Sequence, residues 1–193
     1  MALVTVGVLS AACSGPPPAG RPEVLGQVEF PFDRAVRKAL DEVPGSKLFS
    51  IALRRAQGPE PVWRTEVATE DGTVHVVRVD ATLGRLLGTA VPAGHPPAEK
   101  ARTAALVEAA KVLPEEAAEK AAATAVTDPH FGKVTAVRML RGREQKPVWS
   151  VSVAALRPED KHIYRVDAVT AEVVGSRTSE PTPSPSPTAS PAE

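Results

Sequence analysis

His75 to Ala81 reads HVVRVDA, and His162 to Ala168 reads HIYRVDA. Five of the seven letters agree across 87 positions in a chain of 193 residues. The agreement extends to both sides. PVWRTEV at 61–67 answers PVWSVSV at 147–153, an offset of 86, and RVDATLGRLLGT at 78–89 answers RVDAVTAEVVGS at 165–176, an offset of 87. The single-residue slip therefore lies between these blocks, in ATEDGT against AALRPED. Those stretches are expected to be hairpin turns, because an insertion inside a strand sends every later side chain to the wrong face. A chain built this way is constrained to two similar units.

Each unit reads as a helix followed by antiparallel strands. Trp63, Thr65 and Val67 alternate onto one face, as Trp149, Val151 and Val153 do in the second copy. Phe49, Ile51 and Leu53 correspond to Thr135, Val137 and Met139, and Val77 and Val79 to Tyr164 and Val166. Asp71-Gly72 is a two-residue hairpin signal. Short fourth strands are expected at Leu86–Leu87 and Val173–Val174. Ahead of the strands, FDRAVRKALDEV spaces Ala35, Val36, Ala39, Leu40 and Val43 as a helix stopped by Pro44-Gly45. LPEEAAEKAAATAV opens with proline and two glutamates at the positive helix end, and its apolar face is nearly all alanine. A further helix is expected near 98–112. The fold class is α+β, two tandem repeats, each a helix packed on a three- to four-stranded antiparallel sheet.

The ends have other compositions. About eleven apolar or small residues precede Cys13, too short a run to cross a bilayer. The run reads as the hydrophobic region of an export signal, and a cysteine after Ser-Ala-Ala resembles a bacterial lipobox with Cys13 as the lipidated residue. No Lys or Arg lies in that run, and Ser10 stands where lipoboxes carry leucine. From Ser179 the chain is a Pro/Ser/Thr tail without large apolar residues, which cannot offset its ordering entropy. The organisation expected is signal peptide and lipobox 1–13, flexible linker 14–27, first repeat 28–90, linker with a helix 91–113, second repeat 114–177 and disordered tail 178–193.

The order helix, strand, PVW-x-V-x-V, hairpin, V-D-A resembles the PepSY domain, in two copies spanning nearly all of 30–177. The residues that carry the resemblance are Trp63, Val79, Asp80, Ala81 and Gly84, then Trp149, Val166, Asp167 and Ala168, with Ala171 standing where the first copy has Gly84. That family occurs in the propeptides of thermolysin-type metallopeptidases and in bacterial envelope proteins. The resemblance implies a curved antiparallel sheet packed on a helix, and a non-catalytic role in inhibiting or regulating peptidases.

Charge and motifs narrow the function further. With 23 basic and 23 acidic side chains, the balance argues against a dedicated polyanion binder, so no nucleic acid partner is expected. HExxH, GxSxG, SxxK, Walker A and GxGxxG patterns are all absent from the sequence. One cysteine builds neither a disulfide nor a CxxC zinc site. No enzyme activity, cofactor or metal is expected. His75 and His162 recur and would meet across a twofold if they shared a ligand, but two histidines do not complete a metal site. Asp80 and Asp167 are expected to accept hydrogen bonds from turn amides, with Gly84 supplying a positive φ. Arg78 and Arg165 share a strand face with those aspartates and are candidates to pair with them, or, with the histidines, to contact a partner. Trp63 and Trp149 are expected to anchor the cores. The function expected is an exported, membrane-anchored interaction module. Its partners would be the membrane, through lipid on Cys13, and an extracytoplasmic peptidase or other envelope protein, met by a face of the sheet. The alternatives are a secreted form and a small-ligand binder using the cleft between the repeats.

Overall fold

The structure is a computed structural model that describes residues 25–55, 60–94, 96–125, 133–154 and 161–179. Cys13, the expected signal segment and the tail beyond 179 lie outside the described residues. Helix α1, Phe32–Glu42, leads into strands β1 Lys47–Arg55, β2 Pro61–Ala68, β3 Val74–Asp80 and β4 Leu86–Ala90. Helices α2, Pro97–Ala109, and α3, Pro114–Ala125, then precede β5 Val134–Arg141, β6 Pro147–Ala154, β7 Lys161–Asp167 and β8 Val173–Ser179. No helix among the described residues is long and apolar enough to cross a membrane.

The strands form one antiparallel sheet in the order β4-β3-β2-β1-β5-β6-β7-β8. Read outward from the centre, the order is the same in both directions. The central seam is short: Ser50 pairs with Arg138, Ile51 with Val137 and Ala52 with Ala136. Ile51 and Val137 occupy corresponding places in the two halves, so a local twofold passes through their pair. Both are fully buried, and burial of each contributes on the order of 1.5–3 kcal/mol.

Helices α1, α2 and α3 lie on one face of the sheet. Alternation puts Ile51, Leu53, Trp63, Val67, Val77 and Val79 on that face in the first half, and Val137, Met139, Trp149, Val151, Val153 and Val166 in the second. They form one continuous core with Ala35, Val36 and Ala39 of α1 and Ala117, Ala118 and Ala121 of α3. In α1, Asp33 sits in the first turn and pairs with Arg37 at 2.8 Å, while Ala35, Val36 and Ala39 face inward, as their spacing requires. Helix α2 lies over the central strands, burying Thr103, Leu106 and Val107.

Two local expectations are revised. The hairpin at Asp71-Gly72 is not a two-residue turn: β2 ends at Ala68 and β3 begins at Val74, and the amide of Thr69 donates to the carbonyl of Thr73 at 3.0 Å. Asp71 accepts hydrogen bonds from Thr69 and Thr73, which stabilises the longer loop. Gly72 is needed there twice over, for a φ of +80° and because a Cβ would stand 1.9 Å from the carbonyl oxygen of Lys100 in α2. Helix α2 also stops at Ala109, short of the expected 112, because the amides of Lys111 and Val112 both donate to the carbonyl of Ala168 at 2.8 and 2.9 Å.

Candidate functional site

The repeated motif residues form the same hydrogen-bonded circuit in each half. In the first, Asp80 Oδ1 accepts the amides of Thr82 at 2.8 Å and Leu83 at 2.9 Å, and Gly84 returns its amide to the Asp80 carbonyl. Asp167 Oδ1 likewise accepts the amides of Val169 at 2.7 Å and Thr170 at 3.0 Å, and Ala171 returns its amide to the Asp167 carbonyl. Gly84 has a φ of +69° and Ala171 one of +61°, so the two turns follow one backbone path.

The turns hold the segments that lead into the helices. Ala81 offers its carbonyl to the amides of Glu29 and Phe30, and Ala168 offers its own to those of Lys111 and Val112. The indole N–H of Trp63 donates to the Phe30 carbonyl at 2.7 Å, and that of Trp149 to the Val112 carbonyl at 2.9 Å. Each tryptophan therefore fills the core and satisfies a backbone carbonyl just before a helix. The two alanines are fully buried, and their acceptor role was not read from the sequence. Its only trace there is that alanine recurs after the aspartate.

Asp80 is nearly inaccessible, and the Leu83 amide is the strongest influence on its carboxyl. Burial works against ionisation, but the amides of Leu83 and Thr82 and the guanidinium of Arg85 outweigh it and hold the pKa below the usual aspartate value. The ion-pair partner is Arg85, at 3.4 Å, where Arg78 was the candidate. The carboxylate turns toward its own turn, and Arg78 instead lays its guanidinium over Gly88 of β4.

His75 and His162 are separated. They lie on β3 and β7, five strand spacings apart along the sheet, roughly 24 Å. His162 Nδ1 contacts Thr178 Oγ1 at 3.3 Å. Among the described residues no three His, Cys, Asp or Glu side chains cluster as a metal site.

A concavity lies on the helical side, between α1 and the α2–α3 junction. It is a cleft of about 1020 Å³. Leu40 of α1 and Leu48 of β1 form one wall, Val107 and Leu113 the other, and Met139 and Trp149 the floor. The cleft exists because α3 presents Ala118 and Ala122 where larger side chains would fill the space. Leu113 stands 67% exposed at its mouth, beside Lys111. A half-open apolar site with a charged rim suits hydrocarbon. The opposite sheet face bears exposed arginines.

No curated protein matches the chain. Solved structures with a similar arrangement include a candidate lipoprotein from Clostridium difficile 630, 16% identical with a TM-score of 0.49, covering 79% of this chain and 95% of that one. The YpmB protein from Bacillus subtilis is 14% identical with a TM-score of 0.30, covering 77% of this chain and 97% of that one. The YpeB C-terminal domain of Bacillus megaterium is 11% identical with a TM-score of 0.30, covering 76% of this chain and 63% of that one. The first half, with Trp63, Asp80 and Gly84 and the helix before them, matches at residues 31–90 the PepSY family model, the peptidase propeptide and YPEB domain.

Proposed function

We propose that the protein is a non-catalytic interaction module of the cell envelope, made of two tandem PepSY-like units and held at the membrane by lipid on Cys13. The observation that carries this reading is the match of residues 31–90 to the peptidase propeptide and YPEB domain. The circuit of Trp149, Asp167 and Ala168, which reproduces that of Trp63, Asp80 and Ala81, supports assigning a second unit to the other half. In this reading the cleft between α1 and α3 receives an apolar segment of an envelope protein, with an extracytoplasmic peptidase the first candidate.

The cleft also supports a second reading. Its volume of about 1020 Å³ is of the size that takes small molecules, so a small apolar ligand is the alternative occupant. A photo-crosslinking residue in place of Leu113, in the full chain expressed in its own envelope, tests both. A protein-sized adduct supports the first reading and a small mass increment the second. Absence of any adduct that Ala122→Trp abolishes would sink both. Mass spectrometry of the membrane fraction tests the anchor, which an unmodified Cys13 in the mature protein would refute.

A further inference from the structure

The sheet face turned away from the helices carries charge that the neutral whole-chain balance conceals. Register sets Arg64 of β2 directly opposite Arg78 of β3. Across the seam, Arg138 of β5 and Arg165 of β7 flank Ser150 of β6. These four exposed arginines make a stripe from β3 to β7, roughly 24 Å long at ordinary strand spacing. The carboxylates of this face are already engaged. Asp80 and Asp167 serve their turns, and Glu66 accepts from Arg64 and from Ser50. Arg78 and Arg165 have no ion-pair partner among the described residues, and Arg138 shares the Glu66 carboxylate with Arg64 only at longer range. Like charges directly across a strand pair destabilise a sheet, and here Arg64 turns to Glu66 while Arg78 turns away over Gly88 of β4, which leaves the Arg78 charge open to an external anion.

One end of the stripe opens into a pocket of about 460 Å³. Arg141, Arg143, Lys146 and Arg165 stand around it, over Leu140 and Val148, together with Glu144, which pairs with Lys146 at 2.9 Å, and Asp167, so the cations outnumber the carboxylates four to two. Val174, 56% exposed, lies at the rim. Leu87, 43% exposed, holds the corresponding place in β4, the other edge strand.

We propose that this face rests on an anionic phospholipid surface, the arginine stripe lying among the phosphates and the pocket beside Arg165 receiving one headgroup. Arginine's planar fork matches phosphate oxygens. A bilayer interface accepts cations and exposed hydrocarbon together, and so accommodates Val174 and Leu87, which an acidic protein segment leaves without a partner. The inference depends neither on the cleft nor on lipid at Cys13.

The test is co-sedimentation of the full chain carrying Cys13→Ser, so that no acyl chain contributes. Vesicles of mixed phosphatidylglycerol and phosphatidylcholine are compared with phosphatidylcholine alone. Binding is expected only to the anionic vesicles, and to fall in half-molar salt as screening shortens the reach of charge. Each basic residue at such a surface is worth on the order of fivefold in partitioning. Arg78→Gln, Arg138→Gln and Arg165→Gln together should therefore weaken binding on the order of a hundredfold. A control with Arg34→Gln, Arg102→Gln and Lys120→Gln, on the helices, removes the same charge and should change binding little. Equal loss in the two triple variants, or equal binding to neutral vesicles, overturns the proposal. Displacement from the vesicles by charge-matched poly-glutamate would reassign the face to acidic proteins and likewise overturn it. If the face variant fails to fold, the salt dependence and lipid preference of the parent still decide the matter.

Discussion

Ala171 and Gly84 occupy the same left-handed turn position, and exchanging glycine and alanine between them should have opposite effects. At Ala171, with a φ of +61°, a Cβ costs about 1–2 kcal/mol. Ala171→Gly removes that strain, while the greater freedom of glycine in the unfolded chain takes back about 1 kcal/mol. The net expectation is a gain of about 0–1 kcal/mol, or up to about 4 °C in Tm for a chain of this size. Gly84→Ala introduces the same strain and a collision, since the new Cβ would lie 2.4 Å from the ring of Phe30. Overpacking of that kind adds about 1–3 kcal/mol, for a net loss of about 1–4 kcal/mol once the reduced freedom of the unfolded chain is credited. Ala171 escapes the collision because Val112, smaller than a phenylalanine, stands where Phe30 does in the first half. Phe30→Val should therefore relieve part of the penalty, and the double-mutant cycle of Phe30→Val with Gly84→Ala should show a favourable coupling. Urea melts of the parent, the three single variants and the double variant measure every quantity. A destabilised Ala171→Gly, or a cycle without coupling, would refute the shared-turn argument.

Thr65 is fully buried, its hydroxyl has no hydrogen-bond partner among the described residues, and Val151 fills the equivalent place. Thr65→Val should stabilise by about 1 kcal/mol in a denaturant melt, since an unsatisfied buried hydroxyl costs about 1–3 kcal/mol. Trp63→Phe and Trp149→Phe each remove an indole bond to the segment before a helix. Each should cost about 2 kcal/mol or more, with amide exchange rising first at Phe30 or Val112. The Asp80 pKa is depressed in the folded state, so its contribution is fully present above about pH 4, its unfolded value, and is lost as pH falls through the folded one. Asp80→Asn should therefore be less stable at neutral pH yet lose less stability on acidification, and a parallel acid limb in parent and variant would contradict this. Residues 25–94 expressed alone expose the edge at Ile51, and calorimetry should find no sharp transition.

What the sequence made legible was whatever local chemistry encodes. The strands around Trp63 and Trp149 followed from period-two alternation backed by repetition, and α1 from the spacing of Ala35, Val36 and Ala39. The turn role of Asp80 and Asp167 followed because a short carboxylate beside its own amides needs no distant partner. The seam was not legible: pairing of Ile51 with Val137 joins strands 86 positions apart, and a strand carries no local mark of which edge it will meet. Nor was the arginine stripe, because a net charge averages over surfaces that only the register separates. The cleft was half visible. The alanine face of α3 announced missing volume, but the position of α1 across from it did not follow from either segment.

The seam between β1 and β5 has a consequence for how such a chain assembles. Two strands that meet antiparallel about a twofold make an isologous contact, the kind that joins two identical subunits into a dimer. A protein bearing only one half would present that edge to any neighbour and would assemble as its concentration allowed. Placing both halves on one chain makes the contact intramolecular, with an effective concentration set by the connecting segment rather than by expression level. The same geometry makes exchange of halves between two chains a natural misassembly. The segment between β4 and β5, which carries α2 across the seam, is the part whose length and stiffness decide between the closed monomer and an exchanged dimer.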